Sequence, residues 1–305
     1  MGVKVTFPSF PPPGADQGGG SQPPGPPDGP DGRSGRPDLI AVGDRSLRPI
    51  EKLQIRVIRR SFEPGAVDQS LRWCQRNIGA RWIDAATRNL RHVHGLDRVP
   101  FLDPNKSFVC VSNHRSFFDL YVVTTLLVLQ GMPHRMLFPV RSNFFYDKPL
   151  GFAVNGAMSF FAMYPPIFRE RARAPLNLAG IDEVAWIARR GGAFIGMHPE
   201  GTRNKDGDPY EFLPAQSGVG RIIRQADVDV IPVFVNGLVN DLVEQVSSNA
   251  RRNGIPIVVV FGKPIDFAGL LQENPSPRLY KRIADRSIEA IRELSKEERA
   301  IRASL

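Results

Sequence analysis

From about residue 95 onward, short apolar runs alternate with longer helical stretches, and this alternation constrains the fold more than any other feature of the chain. The runs Phe108–Ser112, Arg135–Val140, Ser159–Met163, Ala193–Met197, Val230–Val235 and Ile257–Phe261 predict strands. The segments Phe117–Gln130, Leu176–Arg190, Ala215–Ala226 and Ser276–Leu294 predict helices. Strands that read as continuous apolar runs, rather than alternating with polar residues, are buried on both faces. Helices between such strands act as crossovers, so the expected fold class is α/β, with a mostly parallel central sheet flanked by helices. Functional groups in such sheets gather at the carboxyl ends of the strands.

Two predicted strands end in loops rich in chemistry. "SFVCV" is followed by "SNHRSFFD", which places His114 in a strand-to-helix loop and Asp119 in the first helical turn, with Ser116 available as N-cap. A carboxylate on one imidazole nitrogen fixes the tautomer and leaves the other nitrogen to take a proton from a hydroxyl. Ser116 and Asp119 also have the spacing of a capping box, which requires no catalytic role for the carboxylate. In "GGAFIGMHPEGTRN" the strand Ala193–Met197 leads into His198, Pro199, Glu200, Gly201, Thr202 and Arg203. The guanidinium there is a planar fork suited to phosphate oxygens, and the plain alternative is a charged surface turn. Arg169 or Arg171 closes the apolar stretch "PPIFRER", and "VIPVFVNG" is an apolar strand whose backbone can shape a pocket.

The chain has 305 residues, 42% hydrophobic and 23% charged, and its net charge of +9 favours an anionic partner. Nucleic acid is not the expected one, because the basic residues are scattered and the aromatics sit in apolar runs. Cys74 and Cys110 are too few for a disulfide framework or a tetrahedral zinc site, and their use fits a reducing compartment. Cys110 lies inside a predicted strand, which suits an inert thiol. No Gly-x-Ser-x-Gly, His-Glu-x-x-His or Walker A pattern occurs. The uncharged run Pro149–Phe168 is long enough to suggest a span. Asn155, two glycines and Pro165-Pro166 argue instead for buried core or a lipid-facing groove.

Composition divides the chain into three parts. Residues 1–60 are expected to be a low-complexity, largely disordered tail, typified by the Pro- and Gly-rich stretch Phe10–Asp38. Residues 61–94 form an amphipathic helical segment, with Val67, Leu71, Cys74, Ile78, Trp82 and Ala85 on one face and several arginines off it. Such a helix either lies on a membrane surface or covers the core. Residues 95–305 form the single α/β domain.

Asn113-His114 with Asp119, an arginine closing an apolar strand, Pro199-Glu200-Gly201-Thr202-Arg203, and Ile231-Pro232-Val233 together resemble the four ordered blocks of glycerolipid acyltransferases. The resemblance is to the 1-acylglycerol-3-phosphate acyltransferases in particular, and it runs from about Val93 to Phe261. It implies acyl transfer from acyl-CoA or acyl-carrier protein to the free hydroxyl of a lysophospholipid, with lysophosphatidic acid giving phosphatidic acid. His114 would be the general base and Asp119 its partner. Arg169, Glu200, Gly201, Thr202 and Arg203 would contact the acceptor. The resemblance implies no metal and no cofactor beyond the acyl donor. It also implies work at an anionic membrane surface, peripheral or monotopic, on the cytoplasmic face. His198 stands where these enzymes often carry Phe, and the second block lacks a clear Gly-x-x-Phe-Ile pattern. Backbone N–H groups at the start of the Phe117 helix are the expected oxyanion donors. The alternatives are an acyltransferase using glycerol-3-phosphate, another lysophospholipid or a lyso-aminolipid, and a non-catalytic lipid-surface binding module.

Overall fold

The computed structural model describes residues 35–305 apart from Phe101, Lys205 and Asp206. The Pro- and Gly-rich stretch read as a tail lies almost entirely outside the described residues. The part of the expected tail that is described is ordered. It forms α1 (Leu39–Val42) and α2 (Pro49–Arg60), capped by the carboxylates of Asp38 and Glu51 respectively. Leu39, Ile55 and Ile58 are buried in the main core. Polar residues at this end do not mark disorder, because they pair internally. The buried Glu183 carboxylate takes the guanidinium groups of Arg36 and Arg59 and the hydroxyl of Tyr164.

The amphipathic segment comprises α3 (Ala66–Cys74), a π-helical turn (Gln75–Gly79) and α4 (Ala80–Thr87). Its buried face differs from the predicted one. Asp68, Gln75, Ala80, Ile83, Ala86 and Thr87 point inward, while Val67, Trp73 and Ile78 are exposed. The polar inward groups have specific partners. Gln75 accepts the Met136 N–H and donates to the carbonyls of Ser159 and Phe160, and Asp68 pairs with Arg72 and the buried Arg135. A five-residue π turn also rotates everything after it, so a fixed 3.6-residue stripe cannot be extrapolated across it.

The sheet has seven strands in the order β1-β7-β6-β2-β5-β3-β4. They are β1 (Arg91–His94), β2 (Phe108–Ser112), β3 (Arg135–Arg141), β4 (Met163–Ile167), β5 (Ala193–Met197), β6 (Val230–Asn236) and β7 (Ile257–Phe261). Neighbours pair in parallel except β6 and β7. β1 falls inside the segment read as helical, so the sheet begins before residue 95. β4 starts at Met163, four residues later than the predicted start at Ser159, because Pro149–Ser159 forms helix α6. The described helices include none long and apolar enough to cross a membrane.

The remaining long helices are α5 (Asp119–Leu129), α7 (Ala174–Arg189), α8 (Ser217–Ala226), α9 (Leu242–Arg251) and α10 (Pro277–Arg302). β2, β5 and β7 are buried at every position, as expected for strands covered on both faces. Gly196 is needed where β5 runs beside β3, since a Cβ there would meet the Phe138 ring at 2.6 Å.

Candidate active site

Register brings the two chemical loops together. Val111 of β2 lies opposite Met197 of β5, and Ser112 lies opposite Val233 of β6, so the residues after these strands emerge side by side. Asn113 fixes the exit of β2. Its buried amide donates to the Val235 carbonyl and accepts the Val235 N–H, both at 2.8 Å. The chain then turns through His114 and enters α5.

Asp119 Oδ2 lies 3.4 Å from His114 Nδ1 and accepts the N–H groups of Arg115 and Ser116, each at 2.8 Å. The ring contact is long for a hydrogen bond, and catalytic contacts of this kind shorten when substrate closes the site. Ser116 Oγ accepts the Phe118 N–H in the turn that precedes α5, so Ser116 is not the helix cap expected of it: α5 starts at Asp119 behind Phe118, with no side-chain cap bond. With Nδ1 toward the carboxylate, Nε2 is the ring nitrogen left to accept a proton. Burial, reinforced by the positive charge of Arg203, lowers His114 to about 4, so the imidazole is neutral at pH 7. Burial raises Asp119 to about 6, against the pull of His198 and the two backbone donors.

His198 stacks on His114 with ring centroids 3.8 Å apart and planes within 6°. Its Nδ1 lies 3.0 Å from the Ser112 carbonyl, which requires the proton on that nitrogen, and burial holds the ring at about 3. His114, Asp119 and His198 each bring one ligand atom within 4.8 Å of the others. Stacked parallel rings keep their in-plane lone pairs in two separate planes, whereas a metal site needs them to converge on one ion.

The second loop serves the first. Glu200 is buried, and its two oxygens accept the N–H groups of His114 and Leu213, each at 2.9 Å. Gly201 has φ +66°, and a Cβ there would meet Gln216 Cγ at 2.7 Å. Turn geometry alone therefore accounts for glycine at this position. Thr202 Oγ1 accepts from Arg141 Nη2 at 2.7 Å, and Arg203 Nη1 donates to Asn240 Oδ1 at 2.8 Å.

A cleft of about 460 Å³ opens beside these loops, its lining including Arg115, Asp119, Arg203, Asn240, Leu238 and Ile255. Val235, Asn236 and Gly237, from the "VIPVFVNG" stretch, also face it. Arg169 is exposed just beyond β4, outside that lining. β4 is three strand spacings from β2, roughly 14 Å. Arg141, which closes β3, is one strand nearer and went unread in the sequence. Its signal was the same as that of Arg169, a basic residue ending an apolar strand. The expected oxyanion donors are occupied: the N–H groups of Arg115 and Ser116 go to Asp119, that of Phe117 to Asn240 and that of Phe118 to Ser116 Oγ.

A model of the acyltransferase family matches residues 90–236, which includes both loops. The chain is 27% identical over 173 residues to the chloroplastic 1-acyl-sn-glycerol-3-phosphate acyltransferase BAT2 of Brassica napus, covering 57% of this chain and 44% of that one. It is 26% identical over 151 residues to the 1-acyl-sn-glycerol-3-phosphate acyltransferase beta of Homo sapiens, covering 48% and 49%. The chain thus spans about half the length of the curated relatives it matches. Among solved structures it is similar to the 1-acyl-sn-glycerophosphate acyltransferase PlsC of Thermotoga maritima, with a TM-score of 0.48 and 16% identity over 85% of this chain and 92% of that one. The family match spans both the His114 and Glu200 loops, so over residues 90–236 the chain is similar to the acyltransferases, the 1-acyl-sn-glycerol-3-phosphate acyltransferases among them.

Proposed function

We propose that the protein transfers a fatty acyl group from acyl-CoA or acyl-carrier protein to the free hydroxyl of lysophosphatidic acid, giving phosphatidic acid. The observation that carries the reading is a neutral imidazole, His114, held beside the buried carboxylate of Asp119, which lines a cleft together with Arg115 and Arg203. The acceptor hydroxyl gives its proton to His114 Nε2 as its oxygen bonds to the thioester carbonyl carbon. Collapse of the tetrahedral intermediate breaks the carbon–sulfur bond, and the imidazolium returns the proton to the thiolate. Asp119 stabilises the imidazolium while it exists. No protein nucleophile takes part.

Arg203 receives the acceptor's phosphate, with Arg141 the nearer second cation and Arg169 the more remote one. Gly201 and Thr202 shape the turn that carries Arg203, and Glu200 acts by holding the His114 backbone. The substrates partition into bilayers, so the enzyme works peripherally at the cytoplasmic membrane face.

The test is transfer of labelled acyl groups from acyl-CoA to lysophosphatidic acid by wild type and His114→Ala. Loss of about two to four decades in rate by a well-folded variant is the expected result. Near-full turnover in the variant would end the general-base mechanism. Wild-type turnover only with glycerol-3-phosphate, another lysophospholipid or a lyso-aminolipid would replace the acceptor. Lipid binding without any transfer would favour a binding module.

A further inference from the structure

We infer that α9 and the turn after it form a docking surface that seats the mouth of the cleft on an anionic bilayer. The inference rests on the acyl-transfer reading, because an acceptor carried in a bilayer must leave it at the cleft.

The helix sits on the right edge of the molecule. β2 to β6 direct their carboxyl ends to one side of the sheet, and β7 is antiparallel to β6, with Asn236 opposite Val258. α9 joins these two strands, so it begins and ends on the edge that carries His114 and Arg203. The exposed apolar residues of α3 are placed differently. Arg72, beside Trp73, donates to the carbonyl of Gly192, which precedes β5 and so lies at the opposite edge.

The amphipathicity of α9 is inverted. Its buried residues are Gln245 and Asn249. Gln245 accepts the Val239 N–H, while Asn249 accepts the Asn89 N–H and donates to the Ala85 carbonyl. Its outer face instead presents Leu242, Val243 and Val246, which are 38%, 78% and 43% exposed. Ile255, 55% exposed, follows in the next turn and lines the cleft, so the apolar surface runs into the site. A helix that turns amides inward and aliphatic side chains outward has an outer face suited to a non-aqueous neighbour.

Charge selects the neighbour. Arg251 and Arg252 are exposed at the end of the helix, and Arg141, Lys148 and Arg203 are exposed on the same edge. Of the acids on this helix, Asp241 caps it through the Glu244 N–H, and the exposed Glu244 is outnumbered by Arg251 and Arg252 at its far end. Cations around a short aliphatic patch match an interface of anionic headgroups above acyl chains.

The experiment is co-sedimentation of the full chain with vesicles of phosphatidylcholine containing phosphatidylglycerol. It compares wild type, Val243→Asp, the double variant Val243→Asp/Val246→Asp, and Trp73→Asp. The double variant is expected to lose about tenfold in partitioning, the single variant part of that, and both to keep wild-type turnover of a short-chain lysophosphatidate dissolved as monomer. Wild-type partitioning by both α9 variants overturns the inference, as does a loss seen only in Trp73→Asp. Defective transfer from acyl-carrier protein with unchanged vesicle binding would make the surface a protein-docking site and overturn it equally. Vesicle binding through α9 without any acyl transfer refutes the reaction, while turnover without α9-dependent binding refutes only the docking surface.

Discussion

Asp119 Oδ2 approaches His114 Nδ1 and, with the same oxygen, holds the N–H groups of Arg115 and Ser116. One atom thus orients the imidazole and fixes the backbone that carries it. Asp119→Asn retains a side-chain oxygen for the backbone donors but loses the negative charge that stabilises an imidazolium. It should fold and lose about two decades or more of kcat. Asp119→Ala leaves both N–H groups unpaired and should also lose about 1–3 kcal/mol of stability. Denaturation midpoints together with single-turnover rates separate the two effects. Equal turnover in Asp119→Asn and wild type would leave the carboxylate with a capping role only.

The ionisation states give a direction for pH dependence. The proposed mechanism needs His114 neutral and Asp119 ionised, and the groups lie near 4 and 6. Turnover of a dissolved acceptor should therefore be level around pH 7 to 8 and fall as pH drops through about 6, with apparent values that belong to the coupled site. The stability contributions have opposite signs. His114 and His198 are lowered from 6.5, so each destabilises the fold as pH falls below that value, when the unfolded chain takes up protons that the folded site refuses. Asp119 is raised from 3.8, so its contribution is present below that value and is lost as pH rises through about 6. An acid limb centred above pH 7 in the rate profile would contradict these assignments.

Glu200 binds two backbone N–H groups, so its effect on rate should pass through His114. Glu200→Ala is expected to lower kcat more than it raises KM for the acceptor, and to cost about 1–3 kcal/mol for the orphaned donors. Glu200→Gln, which keeps one oxygen, should recover part of the stability. A variant whose only defect is a raised KM would instead make Glu200 a substrate contact.

The stacked His198 provides a test of ring support. His198→Phe keeps a flat surface against His114 and gives up the bond to the Ser112 carbonyl, so it should stay within about tenfold of wild-type kcat. His198→Ala removes the surface and should lose more, about a hundredfold, by freeing the His114 ring. Indistinguishable rates in the two variants would show that stacking does not position the base.

The N-terminal helices are held by a buried charge. Glu183→Ala would leave Arg36 and Arg59 without their shared carboxylate, a loss of about 3–5 kcal/mol. Limited proteolysis should then cut first between residues 35 and 60. Unchanged protease resistance would show that apolar packing of Leu39, Ile55 and Ile58 suffices.

The sequence by itself determined the interior of the α/β domain. β2, β5 and β7 match their predicted spans residue for residue, because a strand covered on both faces must be continuously apolar and its ends are marked by polar loops. The proximity of the His114 and Glu200 loops was legible for a related reason, since parallel strands present their following loops on one edge. Partnership was not legible. That Glu200 would bind the His114 backbone, that Arg141 would reach Thr202, and that Asn240 would take the Phe117 N–H depend on strand order and register, which no local pattern encodes. The inward face of α3 and the π turn departs from the predicted stripe for the same reason. Asp68 and Gln75 are buried because Arg135 and the backbone around Met136 and Ser159 await them, and only the folded chain brings those groups together. Burial of a polar side chain follows from its partners, and its partners are set by the tertiary structure.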